Sequence, residues 1–210
     1  LAQAFQDADG QLQYARENIN TILEAKVVGI NETLREIAEL NERIAGIEAE
    51  GRSANSARDR RDLLVQDAAA LLGAQTLEQK DGTVSLQLPG GLPLVQGRTY
   101  MSLETERVNG DMIISVETGA TKLPLGLRDV GGEIKGLLDV RDEVIPDLMA
   151  DLDKLAYNLV TEVNAVHEQG LDRNGDAGGT FFEVPPAPIP PATFAPGTAG
   201  NMLVRAELVN

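Results

Sequence analysis

Cysteine and tryptophan are absent from this 210-residue chain, aromatic residues make up 3% of it, and histidine occurs once, at position 167. Without cysteine there is no disulfide framework, no thiolate zinc site and no cysteine nucleophile, although the compartment stays open. One histidine cannot build a zinc triad, and no serine elbow accompanies it to suggest nucleophilic catalysis. With so few aromatics, Leu, Ile, Val and Ala must supply the core from a hydrophobic content of 42%. Those side chains suit long helices packed along a seam better than a pocketed enzyme, so we expect no enzyme activity. Bases are also scarce, 18 against 33 acids, for a formal charge of -15. Such a surface repels phosphate backbones and anionic lipid, which argues against nucleic-acid and membrane partners. No apolar run approaches the roughly 18 residues of a membrane span, and no basic-then-apolar leader opens the chain. Because it begins at Leu1 within a helical pattern, we expect a soluble piece of a longer protein.

What is present is periodicity. Leu12, Ala15, Ile19 and Ile22, then Val27, Ile30, Leu34, Ile37, Asn41 and Ile44 step by three and four, a coiled-coil-like seam over residues 1 to about 49. The longer step from Ile22 to Val27 predicts an offset in the stripe. Gly29 and Gly46 each weaken a helix by roughly 1 kcal/mol relative to Ala. "SARD" at 56–59 has capping-box spacing and predicts a helix through Leu64, Ala68, Leu71 and Leu72, stopped by Gly73. A third stripe follows Gly131-Gly132: Ile134, Leu138, Arg141, Ile145, Leu148, Leu152, Leu155, Leu159, Val163 and Val166. It crosses Pro146 in phase, which predicts one helix kinked there and ending near Gln169-Gly170.

Between these stretches the period becomes two. Val84, Leu86 and Leu88 alternate, as do Met112, Ile114 and Val116, and Asp81-Gly82 and Asn109-Gly110 are tight-turn dipeptides. Leu94-Val95 and Met101 to Val108 are further strand candidates, beyond a loop at Pro89, Gly90, Gly91 and Pro93. No repeat with a period of 20 to 50 residues is expected. The tract "PPAPIPPATFAPG" after Val184 excludes a helix and predicts a linker or strap. The closing "NMLVRAELVN" could resume a strand. The expected fold is therefore α+β, a long-helix bundle with an inserted antiparallel β-rich domain. Its parts are 1–73 (helical), 74–128 (β insert), 129–171 (helical) and 172–210 (turn, proline-rich linker and the start of a further element).

The sharpest site candidate is a calcium loop. Asp172, Asn174 and Asp176 stand where such a loop places its first ligands, and Glu183 at its closing position. Ala177 occupies the place of the required glycine, however, and proline follows Glu183 where an exit helix belongs. An Asx/Gly turn that ends a helix is the favoured reading, with no metal and no cofactor. His167 falls at a helix C-terminus, where the dipole favours a cation and the ring can lie beside Leu171. The cluster from Arg58 to Asp62 reads as a self-compensating solvated face. Arg61 shares the face of Leu64 and Ala68, and is expected at the bundle border, paired with an acid on another helix. "GGLPLVQG", at 90–97, lacks the strand-to-helix setting of a phosphate loop.

Five pieces in order resemble one family. They are "NERI" at 41–44, "DRRDLLV" at 59–65, "LPLVQG" at 92–97, "GGEIKGLLDVRDEVIPDL" at 131–148, and "LDKLAYNLVTEVNAVHEQGLDRNGDAGGTFF" at 152–182. Together they resemble the flagellar hook-associated protein 1 family (FlgK), which joins hook to filament in bacteria. The resemblance implies a flagellin-like helical rod domain with a projecting β domain, and no catalysis or cofactor. It further implies export by the flagellar type III apparatus without a cleaved signal peptide, and an extracellular place in the flagellum. The implied partners are copies of itself, the hook protein and the second hook-filament junction protein. The family's Asn-Ile-Ala-Asn and Thr-Pro-Gly-Tyr-like N-terminal motifs and its C-terminal heptads are missing from the sequence, so the piece is expected to be monomeric. Candidate contact surfaces are the unpaired edges of the β insert and the exposed flank of the first helix. Two other readings stay open: another axial flagellar protein of flagellin type, and a calcium-dependent extracellular binding module. A glycosidase is a third, but no acid pair stands out among the many carboxylates.

Overall fold

The computed structural model describes residues 1–79, 81–119, 121–171, 175–188 and 192–205. One helix, α1 (Ala2–Ala49), runs without a break. The offset expected between Ile22 and Val27 does not occur, because Leu23 carries the stripe. Ile19, Leu23, Val27, Ile30, Leu34, Ile37, Asn41 and Ile44 are all buried, at the steps of three and four that keep one face of a helix in register. Gly29 and Gly46 lie on its exposed side, with open space where a side chain would be.

Helix α2 (Asn55–Leu72) starts earlier than the capping box suggested. Ala54 is the N-cap, without a side-chain bond, and Ser56 lies inside the helix. The start is set by burial of Ala54 and by its carbonyl, which accepts from Ala57 and Arg58 amides. Gly73 ends the helix in the left-handed conformation, its amide bonded to Ala69. The chain then enters the β region and returns to almost the same point. Gly131 donates to the Leu72 carbonyl at 2.6 Å. Gly132 opens α3 (Gly132–Asp139) with φ +58, and a Cβ there would lie 2.2 Å from the Ala70 carbonyl oxygen.

The insert holds two sheets, all of whose pairings are antiparallel. The first has the order β1 (Gln75–Glu78), β2 (Val84–Gln87), β3 (Pro93–Gln96), β4 (Thr99–Tyr100); the second is β5 (Leu103–Val108), β6 (Asp111–Thr118), β7 (Thr121–Pro124). Pro93, expected in a loop, begins β3. Asp81-Gly82 and Asn109-Gly110 make the turns read from the sequence. Asn109 is the one described non-glycine residue at positive φ, +54, as a hairpin turn with two left-handed positions requires.

After α3 comes one π turn, Val140–Val144, and then α4 (Ile145–Glu168). The chain thus stays helical through Pro146. The proline ring has no N–H to give and would crowd the carbonyl four residues back; a widened turn just before it removes both conflicts. The buried positions of α4 are Ile145, Asp153, Ala156, Val160 and Asn164, not the whole stripe expected. Leu148 is 49% exposed, Leu155 59% and Val166 70%. A stripe repeating every 3.5 residues drifts around a helix of 3.6, so it parts from the buried face along α4.

The chain divides into two compact units, Leu1–Arg16 with Asp142–Asn210, and Glu17–Arg141. In the first, Phe5, Ala156, Val160, Phe182, Ala199 and Met202 form the core. Phe182 and Val204 make an isolated bridge, so the closing segment resumes extended pairing only there among the described residues. In the second, the buried faces of α1, α2 and α3 are joined by Val84, Leu86, Leu88, Leu94, Val95, Met112, Ile114 and Val116 from the sheets.

Candidate functional site

Helices can hold a sheet by packing, but a strand end leaves backbone groups that must find partners. Here they find asparagines on α1. Asn41 accepts from the Val84 amide at 3.0 Å and donates to the carbonyls of Val84 at 2.8 Å and Gly97 at 2.7 Å. Asn31 accepts from the Leu103 amide and donates to the carbonyl of the same residue, both at 2.8 Å. Asn20 accepts from Met112 at 3.2 Å and donates to Gly110 at 3.3 Å. A carboxamide offers one acceptor and two donors in one plane, which matches the edge of an extended backbone. Both sheets are fastened to the helix in this way.

Two buried arginines brace the arrangement. Arg61 donates to the Asn41 side-chain oxygen at 3.2 Å and to the Gly82 carbonyl at 2.7 Å. Arg141, in the π turn, donates to the Asn20 oxygen at 3.1 Å and to the Met112 carbonyl at 2.6 Å. An acid on another helix was the expected partner of Arg61, but among the described residues none hydrogen-bonds it. Asp62, adjacent on the same helix, lies at 3.5 Å, and Glu48 of α1 interacts with it through charge alone. Neutral oxygens win because a guanidinium at 2% exposure needs well-placed acceptors, and a turn carbonyl supplies one without having to be desolvated as an ion.

Beyond the Arg61–Asp62 pair, the surrounding cluster is cross-braced between elements. Arg58 grips both oxygens of Glu48, at 2.7 and 2.8 Å, and reaches Glu78 at 3.3 Å. Arg60 does the same to Glu36, at 2.8 and 3.1 Å. Arg107 of β5 meets Glu17 at 2.6 Å. The hydrogen bond from each arginine holds Glu48, Glu36 and Glu17 below their ordinary value of 4.5.

In the other unit, α4 side chains bond the returning segment. The Asn164 oxygen accepts from the Phe181 and Phe182 amides and its nitrogen donates to the Phe182 carbonyl. Asp153 accepts from the amides of Gly197 and Ala199. His167 Nδ1 lies at 2.5 Å from the Gly179 carbonyl, its ring edge-on to Phe181. That is a knot between helix end and turn rather than the packing against Leu171 expected from the sequence.

Of the calcium-loop candidates, Asp172 and Asn174 lie outside the described residues. Asp176 is exposed beside the Leu171–Ala177 bridge. The Glu183 amide is bonded to Leu203 and its side chain is exposed. Among the described residues no group of three or more His, Cys, Asp or Glu could hold a metal ion, and no helix is long and apolar enough to cross a membrane.

The open surfaces are edges and flanks. β1 and β7 are exposed along their whole length, and each pairs on one side only. Tyr14 and Val28 on α1 are exposed, as are Val144 in the π turn and Leu148, Leu155 and Val166 on α4.

These features define a class: a mixed α+β scaffold in which helices carry antiparallel sheets, the buried asparagines and arginines being engaged in binding backbone. The sequence profile described as "Flagellar hook-associated protein FlgK helical domain" matches residues 1–182. The chain belongs to that family. It is similar to flagellar hook-associated protein 1 of Escherichia coli (strain K12), 30% identical over 193 residues, covering 88% of this chain and 35% of that one. Flagellar hook-associated protein 1 of Bacillus subtilis (strain 168) is 25% identical over 243 aligned residues, covering all of this chain and 46% of its own. The solved flagellar hook junction protein FlgK from Burkholderia pseudomallei superimposes with a TM-score of 0.77 at 31% identity, over 88% of this chain and 34% of the other. The chain therefore spans between about a third and a half of the length of these relatives.

Proposed function

We propose that this chain is the helical middle part of a junction protein between hook and filament of a bacterial flagellum, and that the whole protein works by assembling with copies of itself into a ring. The observation that carries the reading is the family match over residues 1–182. The polar economy of the fold supports it: the buried asparagines and arginines bond sheets to helices, as a part that transmits torque requires. Its partners are further copies, the hook protein and the second junction protein. The protein reaches its extracellular place through the flagellar export apparatus. Many modest contacts repeated around a ring resist shear better than one tight site, and the apolar residues left exposed on α4 supply surface for them.

Complementation tests this. A junction-deficient flagellated strain given the full-length parent protein should regain filaments and motility and stop shedding unpolymerised flagellin. Continued shedding despite normal export of the protein refutes the reading.

A further inference from the structure

The β insert repeats itself. Laying Val84 on Met112 also lays Gly82 on Gly110, Leu86 on Ile114 and Leu88 on Val116. All six apolar residues are buried, and both glycines sit at positive φ in the turn before the strand. The strands on either side agree. Glu78 faces Val84 as Arg107 faces Met112, and Pro93 faces Gln87 as Pro124 faces Ser115. Both prolines stand inside the same tripeptide, Leu-Pro-Leu, at 92–94 and 123–125.

The fastening is repeated too. Each turn is met by an asparagine of α1 and by an arginine of another helical segment, α2 ahead of the first sheet and the π turn after the second. In each case the arginine bonds the asparagine oxygen and a carbonyl of the turn or the strand it opens. Even the helical sequences agree locally, Arg61-Asp62-Leu63-Leu64-Val65 against Arg141-Asp142-Glu143-Val144-Ile145.

We propose that β1–β3 and β5–β7 are two copies of one three-stranded unit, each fastened to the helices by its own asparagine–arginine latch, and that the two latches open independently. Asn20 and Asn41 are separated by about 30 Å along α1, at about 1.5 Å per residue. That exceeds the roughly 8 Å screening length of physiological salt, and the two latches share no side chain, the condition under which local effects add instead of coupling. Opening one latch leaves a buried guanidinium and strand amides short of partners at that turn alone. The insert then yields in two steps, each a local opening of the kind native proteins show below their global unfolding energy.

Hydrogen exchange on the 210-residue chain, read by mass spectrometry, decides. Asn20→Leu should raise exchange of the amides in 103–125 by about tenfold or more while those in 75–96 change by less than about twofold; Asn41→Leu should do the reverse. Should either substitution unfold the whole chain, Arg61→Lys and Arg141→Lys, which keep the charge but not the planar fork, carry the same contrast. Equal acceleration of both sheets in these variants, global unfolding of the lysine variants, or no change in either sheet overturns the proposal.

Discussion

At the scale of single residues, the fold depends on a few side chains whose chemistry complements bare backbone. Asn41 is completely buried and holds three backbone groups together with Arg61. Asn41→Ala should cost about 2–4 kcal/mol in urea unfolding, more than one ordinary hydrogen bond, because it strands several buried partners. Arg61→Met combined with Asn41→Ala should cost clearly less than the sum of the two single changes, since they share one network. Additive costs would show that the two do not work together. Much of this was hidden in the sequence. Arg61 could be placed on the buried side by its spacing from Leu64 and Ala68, but spacing says nothing of a turn carbonyl distant in the chain. Asn41 stood out merely as one more position in an apolar stripe. Asn20 and Asn31 carried no signal, because an asparagine on a helix more often faces water.

The carboxylates gripped by Arg58, Arg60 and Arg107 give a pH dependence with a definite sign. A group whose folded pKa is lowered adds stability above the ordinary carboxylate value, here 4.5, and loses it as pH falls through the folded value. Stability measured by denaturant should therefore decline on acidification below about pH 4.5. The pairs are partly exposed, so high salt should flatten the decline. A decline that begins near neutrality would point to another group.

At the scale of elements, the helices were legible where apolar side chains and glycines agree, and less so where backbone geometry decides. The stop at Gly73 and the turns at Asp81-Gly82 and Asn109-Gly110 follow from left-handed φ, which few residues accept. β1 and β7 were not legible. "QTLE" and "TKLP" are exposed throughout and have no alternation to read. The π turn was invisible because the apolar steps pass through it unchanged, and the twofold repeat because little beyond the turn, the alternate apolar positions and Leu-Pro-Leu is shared. Two glycine substitutions separate these causes. Gly29→Ala, facing open space on α1, should stabilise by up to about 1 kcal/mol. Gly132→Ala, where φ is +58 and a Cβ would meet the Ala70 carbonyl at 2.2 Å, should destabilise strongly, by more than about 3 kcal/mol in thermal or chemical unfolding.

At the scale of the whole molecule, family and fold class were readable because five sequence pieces occur in a fixed order. The expected monomer and the absence of bound calcium remain predictions. Light scattering of the 210-residue chain should give a single-chain mass, with a stable closed ring as the contrary result. Calorimetric titration with millimolar calcium should show no heat, and a saturable exotherm would make metal ligands of Asp172, Asn174, Asp176 and Glu183.

The meeting of Gly73 with Gly131 bears on how such a chain can change over generations. Because the polypeptide leaves the helical run and rejoins it across a single hydrogen bond, the stretch between is a cassette with both ends at one socket. A shorter, longer or foreign cassette could be transplanted there without lengthening the loop that the two glycines close. The exposed strands could thus diversify while the buried residues that face the helices keep their fit.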